Sequence, residues 1–353
     1  MPQRTAADNL VLGTWGLAGR GGLSVDRSYG EVTDAVAYET LDRAWELGIR
    51  IADTAPAYGG GAGLRRVGQW QRMRDRRWRI AAKPGRPDVG GGPVSDLRLP
   101  VLVDEVESGA RLTGTPAYVL VKDPEPGAYT DGSLAAVLDL LEERLPDATV
   151  GVASHLPEAL AGLAARCPAR TAFPADAGPV APRRARVAQI ELNAVNHRVA
   201  VPAAERLAAR GWEVWAMQPL AYGFLACPDL VPRPGADWRA RIPSGVQDGM
   251  RAAARSFAWV TRAETEGDYG FGVAGSVGKR GPEPESASLA AWAIAFCLSV
   301  PAVTRTVVGP KNPAQLDAAV TALSIVSDHD RAHRLHTWAA GAMRDTAGAT
   351  CPR

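Results

Sequence analysis

Ile49-Arg-Ile-Ala-Asp53-Thr-Ala-Pro-Ala-Tyr58-Gly59 reads as a short buried strand, Ile49 to Ala52, that opens into a loop. The loop holds an acid and a phenol five residues apart, so both can face a site above the strand end. The next apolar run, Trp78-Arg-Ile-Ala-Ala-Lys83-Pro-Gly, delivers a lysine at its own end, where Pro-Gly stops the strand. Two consecutive strands ending in charged side chains are what a parallel barrel supplies, because its chemistry collects at the C-terminal strand face.

Outward from this stretch the same unit recurs. Strands are predicted at Leu10 to Leu17 with its Gly-rich exit, Ala117 to Val121, Thr149 to Ala153, Val187 to Leu192, Glu213 to Met217 and Thr304 to Val308. Between them, helical spacing is read after Thr33 and near Leu64 to Met73, Val103 to Leu112, Leu134 to Leu145 and Pro157 to Arg166. Further helices are expected at Ala203 to Arg210, Ala287 to Leu298 and Ala314 to Ala322. Eight strand–helix alternations predict a (β/α)8 TIM barrel forming a single domain over residues 1–353. The segment from about 224 to 286, rich in Pro, Gly and charge, is expected to carry a lid after strand seven. An extra C-terminal helix is expected over about 327–345, opened by a Ser327–Asp330 capping box.

Composition narrows the function classes. A net charge of +2 argues against a dedicated nucleic-acid or membrane surface, and no apolar run reaches the ~20 residues of a membrane span. The arginine run Arg72 to Arg79 has no aromatic stacking platform and suits a solvated helix–strand junction. Four cysteines, scattered without metal or redox spacing, suit reduced thiols in a cytoplasmic protein. Of forty basic residues only Lys83, Lys122, Lys279 and Lys311 are lysine. Surface positions have gone to arginine, so each lysine is a flag for a specific role.

Gly13-Thr14-Trp15, Asp53-Thr54-Ala55 with Tyr58-Gly59, and Ala82-Lys83-Pro84-Gly85 together resemble the aldo-keto reductase family. The resemblance continues through Asp104 to Leu112, Gly151 to Ser154, Gln189 to Asn193, Pro219 to Gly223 and Gly309 to Leu316, in order over roughly residues 8 to 325. It implies hydride transfer from a nicotinamide to a carbonyl carbon while a tyrosine protonates the oxygen. It assigns that phenol to Tyr58, with Lys83 lowering its pKa and Asp53 holding Lys83. The family's fourth residue is a histidine, and here Lys122 occupies that slot. A second lysine beside Tyr58 is expected to depress the phenol further. The catalytic candidates are therefore Asp53, Tyr58, Lys83 and Lys122.

For the cofactor, the resemblance implies Ser154 and Gln189 as the grip on a nicotinamide carboxamide, with His155 standing where asparagine is usual. Met217 replaces the stacking aromatic residue, and Gln218 a serine. Gly13, Thr14, Trp15, Pro219, Leu220, Gly223 and Gly309 complete the expected cofactor contacts. Lys311 stands where a cation meets a ribose 2′-phosphate, which favours NADP(H), and Gln315 fits the adenine end, with Ala318 and Ala319 in place of a polar pair. Lys279-Arg280 could close over phosphates or lie in an exposed loop.

His329, His333 and His336 share a helix face at a spacing that can bind metal, but a surface helix is their commoner setting, so no metal is assigned. The leading reading is an NADPH-dependent reductase of a small-molecule carbonyl or conjugated enone, with no nucleic-acid or membrane partner. Two alternatives stay open: non-redox lyase, dehydratase or isomerase chemistry through Tyr58 and Lys122, and a catalytically silent binding protein.

Overall fold

Short apolar runs flanked by helices bury both faces of each strand, and in the protein they close on themselves. The computed structural model describes residues 6–19, 30–87, 94–167, 185–234, 237–258, 260 and 287–344. Strands β1 (Leu10–Gly13), β2 (Ile51–Thr54), β3 (Arg79–Ala82), β4 (Tyr118–Lys122), β5 (Thr149–Ser154), β6 (Val187–Glu191), β7 (Glu213–Met217) and β8 (Val303–Val308) form a closed parallel barrel in chain order. Closure is direct: Leu10 pairs with Thr306 and Leu12 with Val308. The chain is a (β/α)8 barrel, as the alternation predicts.

Side chains alternate along each strand with period two. Val11, Ile51, Ala81, Leu120, Ala153, Val187, Trp215 and Val307 point into the barrel, while Leu12, Ala52, Ile80, Val121 and Val152 pack outward under the helices. The N-terminal end of the barrel is plugged. Tyr118 and Trp215 meet edge-on with centroids 4.9 Å apart. Arg79 donates to the Tyr118 hydroxyl at 2.7 Å, and Arg305 pairs with Glu213 beside the Trp215 ring. Open volume is thereby left to the opposite face, where the strands end.

The outer ring comprises α1 (Asp34–Glu46), α2 (Ala62–Arg74), α3 (Leu99–Thr113), α4 (Ser133–Arg144), α5 (Pro157–Arg166), α6 (His197–Ala209), α7 (Ser244–Phe257), α8 (Leu289–Ser299) and α9 (Asp317–Ser327). A last helix, α10, spans His329–Arg344. Thr33 caps α1 by accepting from the Val36 N–H, and Ala37, Leu41 and Ala44 form its buried stripe. No described helix is long and apolar enough to cross a membrane.

Three expectations shift. Helix α6 begins at His197, not Ala203, because Pro202 lies in its second turn and does not break it. Pro313–Leu316 is a 3-10 turn, and the eighth helix starts after it at Asp317. The cap of α10 is Asp328, which accepts from the Asp330 and Arg331 N–H groups, while Ser327 bonds back to Leu323 inside α9. The segment expected as a lid holds a 3-10 turn, Trp238–Arg241, and α7. Its remainder over 261–286, with Lys279 and Arg280, lies outside the described residues, as do residues 20–29 of the first polar loop.

Candidate active site

Strands β2 and β3 end side by side, with Asp53 paired to Ala81 and Thr54 to Ala82. This register sets Lys83 next to Asp53. The ammonium donates to Asp53 Oδ1 at 2.7 Å, both side chains being almost fully buried. Gln189 crosses from β6 to complete a triangle: its Oε1 accepts from Lys83 at 3.1 Å and its Nε2 donates to Asp53 Oδ2 at 2.7 Å. Both ends of the amide are therefore engaged by the Asp53–Lys83 pair. Buried opposite charges hold only when their remaining hydrogen-bonding capacity is met, and Gln189 meets it.

Tyr58 stands on the loop after β2, its N–H bonded to Ala55 O at 3.0 Å. The loop passes so near Ala18 that a Cβ on Gly59 would lie 2.8 Å from the Ala18 carbonyl oxygen, and Gly59 also has φ +58°. Only glycine meets both demands. The Trp15 ring stacks beside Tyr58, centroids 6.3 Å apart. Lys83 Nζ lies over the phenol ring, 5.1 Å from its centre. The expected depression of the phenol pKa is not what the surroundings produce. Burial pushes Tyr58 upward, Asp53 and Asp123 add to that, and the ammonium that opposes them is Lys122.

Lys122 ends β4 at the cavity wall. Its ammonium donates to Asp123 Oδ2 at 2.7 Å. Asp123 Oδ1 meets His155 Nδ1 at 2.6 Å, and the other ring nitrogen of His155 meets Gln218 Nε2 at 2.9 Å. Burial alone would raise the Asp123 pKa, but the His155 hydrogen bond and the Lys122 charge outweigh it and hold the carboxyl well below its usual range. Ser154 is bonded to the Tyr129 hydroxyl at 2.6 Å and accepts from the Leu156 N–H. Burial pushes the Tyr129 phenol up to about 12.

One cavity of about 760 Å³ joins these groups. Asp53, Tyr58, Lys83 and Lys122 all line it, as do Gly13, Trp15, Ser154, His155, Met217, Gln218, Pro219, Leu220, Gly223, Gly309, Lys311 and Gln315. Two candidates from the sequence are elsewhere. Thr14 is fully buried behind the wall, bonded through its hydroxyl to Asp53 O, and Gln189 is buried behind Lys83. At the far end the exits of β1 and β8 touch: a Cβ on Gly16 would lie 2.7 Å from Pro310 O. Gln315 Oε1 accepts from the Lys311 N–H at 2.8 Å.

Several lining residues were not among the sequence candidates. Asp123 opens the loop over residues 123–130 that was expected to wall the pocket, but it was given no role of its own. Trp238 and Arg239 reach the cavity from the segment after β7, where Arg239 pairs with Asp237 at 2.6 Å and Trp238 packs against Trp15 and Tyr222. No motif marks them. His197 is buried against Phe296 and Trp338. His329 is exposed and His333 contacts Thr337; the His336 side chain lies outside the described residues. No cluster of three metal-ligating side chains occurs among the described residues.

Comparison with known proteins agrees with this architecture. No curated protein matches the chain. The glycerol dehydrogenase of Gluconobacter oxydans superposes with a TM-score of 0.66 at 19% identity, over 98% of this chain and 95% of that one. An aldo-keto reductase from Bacillus halodurans in its holo form gives 0.61 at 15% identity, over 94% and 91%. At such identities these likenesses speak for the fold. Residues 9–97, which carry Asp53, Tyr58 and Lys83, match the Aldo/keto reductase family. Family match and fold together support an oxidoreductase in general terms. The resemblance to the aldo-keto reductases is borne out, by that match over residues 9–97 and by a barrel shared with solved aldo-keto reductases along nearly the whole chain.

Proposed function

We propose that the protein is an NADPH-dependent oxidoreductase that reduces the carbonyl, or the conjugated enone, of a small organic substrate, with Tyr58 as the proton donor. One observation carries the reading: Tyr58, Lys83 and Lys122 open on the same cavity that continues to Lys311 and Gln315. The residues present fit the cofactor. Gln218 Oε1 is a buried acceptor with no partner among the described residues, as a site shaped around a ligand with N–H donors would leave. Gly13, Gly16 and Gly309 line the cavity without side chains, and Lys311 supplies a cation for a phosphate. Gly223, with φ +96°, completes the bend after β7.

NADPH, when bound, supplies the hydride. The chain's own part is protonic and electrostatic. With burial holding the phenol in its protonated form, Tyr58 is a hydrogen-bond donor to the substrate oxygen and passes its proton as negative charge develops there. Lys122 supplies the compensating positive charge. Asp53, Lys83 and Gln189 form a rigid backing that fixes the wall behind the phenol. Engagement of the Lys122 amine by Asp123 weighs against a Schiff-base role, since it is occupied as a donor.

Titrating NADPH while following its fluorescence tests the reading. Saturable binding is expected, and none at millimolar cofactor overturns it. Tyr58→Phe is expected to lower turnover by about 10²–10⁴-fold while NADPH still binds, and unchanged turnover removes the proton-donor role.

A further inference from the structure

The ends of β4, β5 and β7 carry a continuous line of side chains that the Asp53–Lys83–Gln189 triangle does not use. Lys122 and His155 share one carboxylate, each on its own oxygen of Asp123, at 2.7 and 2.6 Å. Gln218 holds the far side of the imidazole at 2.9 Å. Two of the four stand in left-handed backbone, Asp123 at φ +42° and Gln218 at φ +58°. Such conformations cost residues with side chains energy and persist where the surroundings over-determine them. Asp123 is fixed further, its N–H donating to Ala153 O at 2.8 Å and its carbonyl accepting from Arg86 at 3.3 Å. All four side chains line the cavity that holds Tyr58.

We propose that Asp123 and His155 are positioning residues for Lys122, the shared carboxylate clamping the ammonium beside Tyr58 with a strength set by the proton on His155. A neutral imidazole donates one N–H to Asp123 and leaves the carboxylate's charge for the ammonium. An imidazolium draws that charge to itself and repels the ammonium across the same group, loosening the clamp. The charged groups that face His155 are Asp123, which also holds Lys122, and Glu191 at the end of β6, while Tyr58, Arg86 and Glu125 line the same cavity. Burial raises the Glu191 carboxyl above its ordinary range. The clamp rests on the reading that Lys122 serves the substrate of Tyr58, but its test does not.

The chain has only Lys83, Lys122, Lys279 and Lys311, so lysine Nζ resonances of protein carrying 15N at that atom resolve Lys122, assigned by its loss in Lys122→Gln. In the wild type, the Lys122 resonance is expected to shift with pH in step with the Cε1–H signal of His155. In His155→Gln that step vanishes while the resonance persists, and in Asp123→Asn it broadens into exchange with water. A pH response that survives His155→Gln overturns the proposal, and so does a resonance indifferent to Asp123→Asn. Should Asp123→Asn fail to fold, His155→Gln alone decides. These signals need neither NADPH nor substrate. Failure of NADPH to bind therefore refutes the proposed activity, and failure here refutes the clamp. Where 4-nitrobenzaldehyde is reduced with NADPH, His155→Gln is expected to remove the acid limb of kcat with KM changed less than about threefold.

Discussion

Asp53 is almost fully buried at the cavity wall. Its carboxylate is filled by Lys83 and Gln189, both buried, so neutralising it leaves an ammonium in the barrel wall without a countercharge. Asp53→Asn is expected to lower unfolding free energy by about 3–5 kcal/mol in urea denaturation, and a loss below about 1 kcal/mol would contradict a sealed pair. This pair was legible in the sequence, because an acid and a lysine end two adjacent short strands. The occupation of Gln189 by that pair was not: Gln189 on β6 lies 136 positions along the chain from Asp53, and only barrel closure brings it across. Nor was the upward push on Tyr58, which comes from burial and from the Asp53 and Asp123 carboxylates together.

At the level of elements, α10 docks through Trp338, whose ring lies 5.1 Å from His197 and 4.9 Å from Phe257. His197 donates from Nδ1 to Ala194 O, while its Nε2 is buried without a partner among the described residues. Burial lowers its pKa below the ordinary value, so the folded chain keeps the imidazole neutral. The sign follows: below about pH 6.5 the unfolded chain takes up a proton that the folded one refuses, and stability falls as pH falls. His197→Phe is expected to flatten the dependence of Tm on pH between about pH 6.5 and the lower folded value, whereas an unchanged slope would place the titration elsewhere. Helix ends were the least legible part. The cap read at Ser327 falls instead to Asp328, because the turn between α9 and α10 sets its carboxylate against the Asp330 and Arg331 N–H groups. Trp238 and Arg239 were hidden for a related reason, since a 3-10 turn of four residues has no periodicity to read.

For the whole molecule, the plug of Tyr118, Trp215, Arg79, Arg305 and Glu213 matters as much as the mouth. Trp215 is fully buried at the barrel axis. Trp215→Ala is expected to cost about 3–5 kcal/mol in denaturant unfolding, since the ring's neighbours are fixed in strands and collapse poorly into the space. A cost under about 1 kcal/mol would mean that the inner layer repacks freely. The barrel itself was readable because eight apolar runs alternate with helical stretches at regular intervals. The shape of its cavity was not, since it depends on which loop side chains fold inward.

The pairing of β1 with β8 also bears on how the protein is made. Gly13 and Trp15 emerge from the ribosome long before Gly309, Pro310 and Lys311, which build the wall facing them. A nascent chain can assemble its early βα units in sequence, but it acquires a ligand-competent mouth only when the final strand has left the exit tunnel.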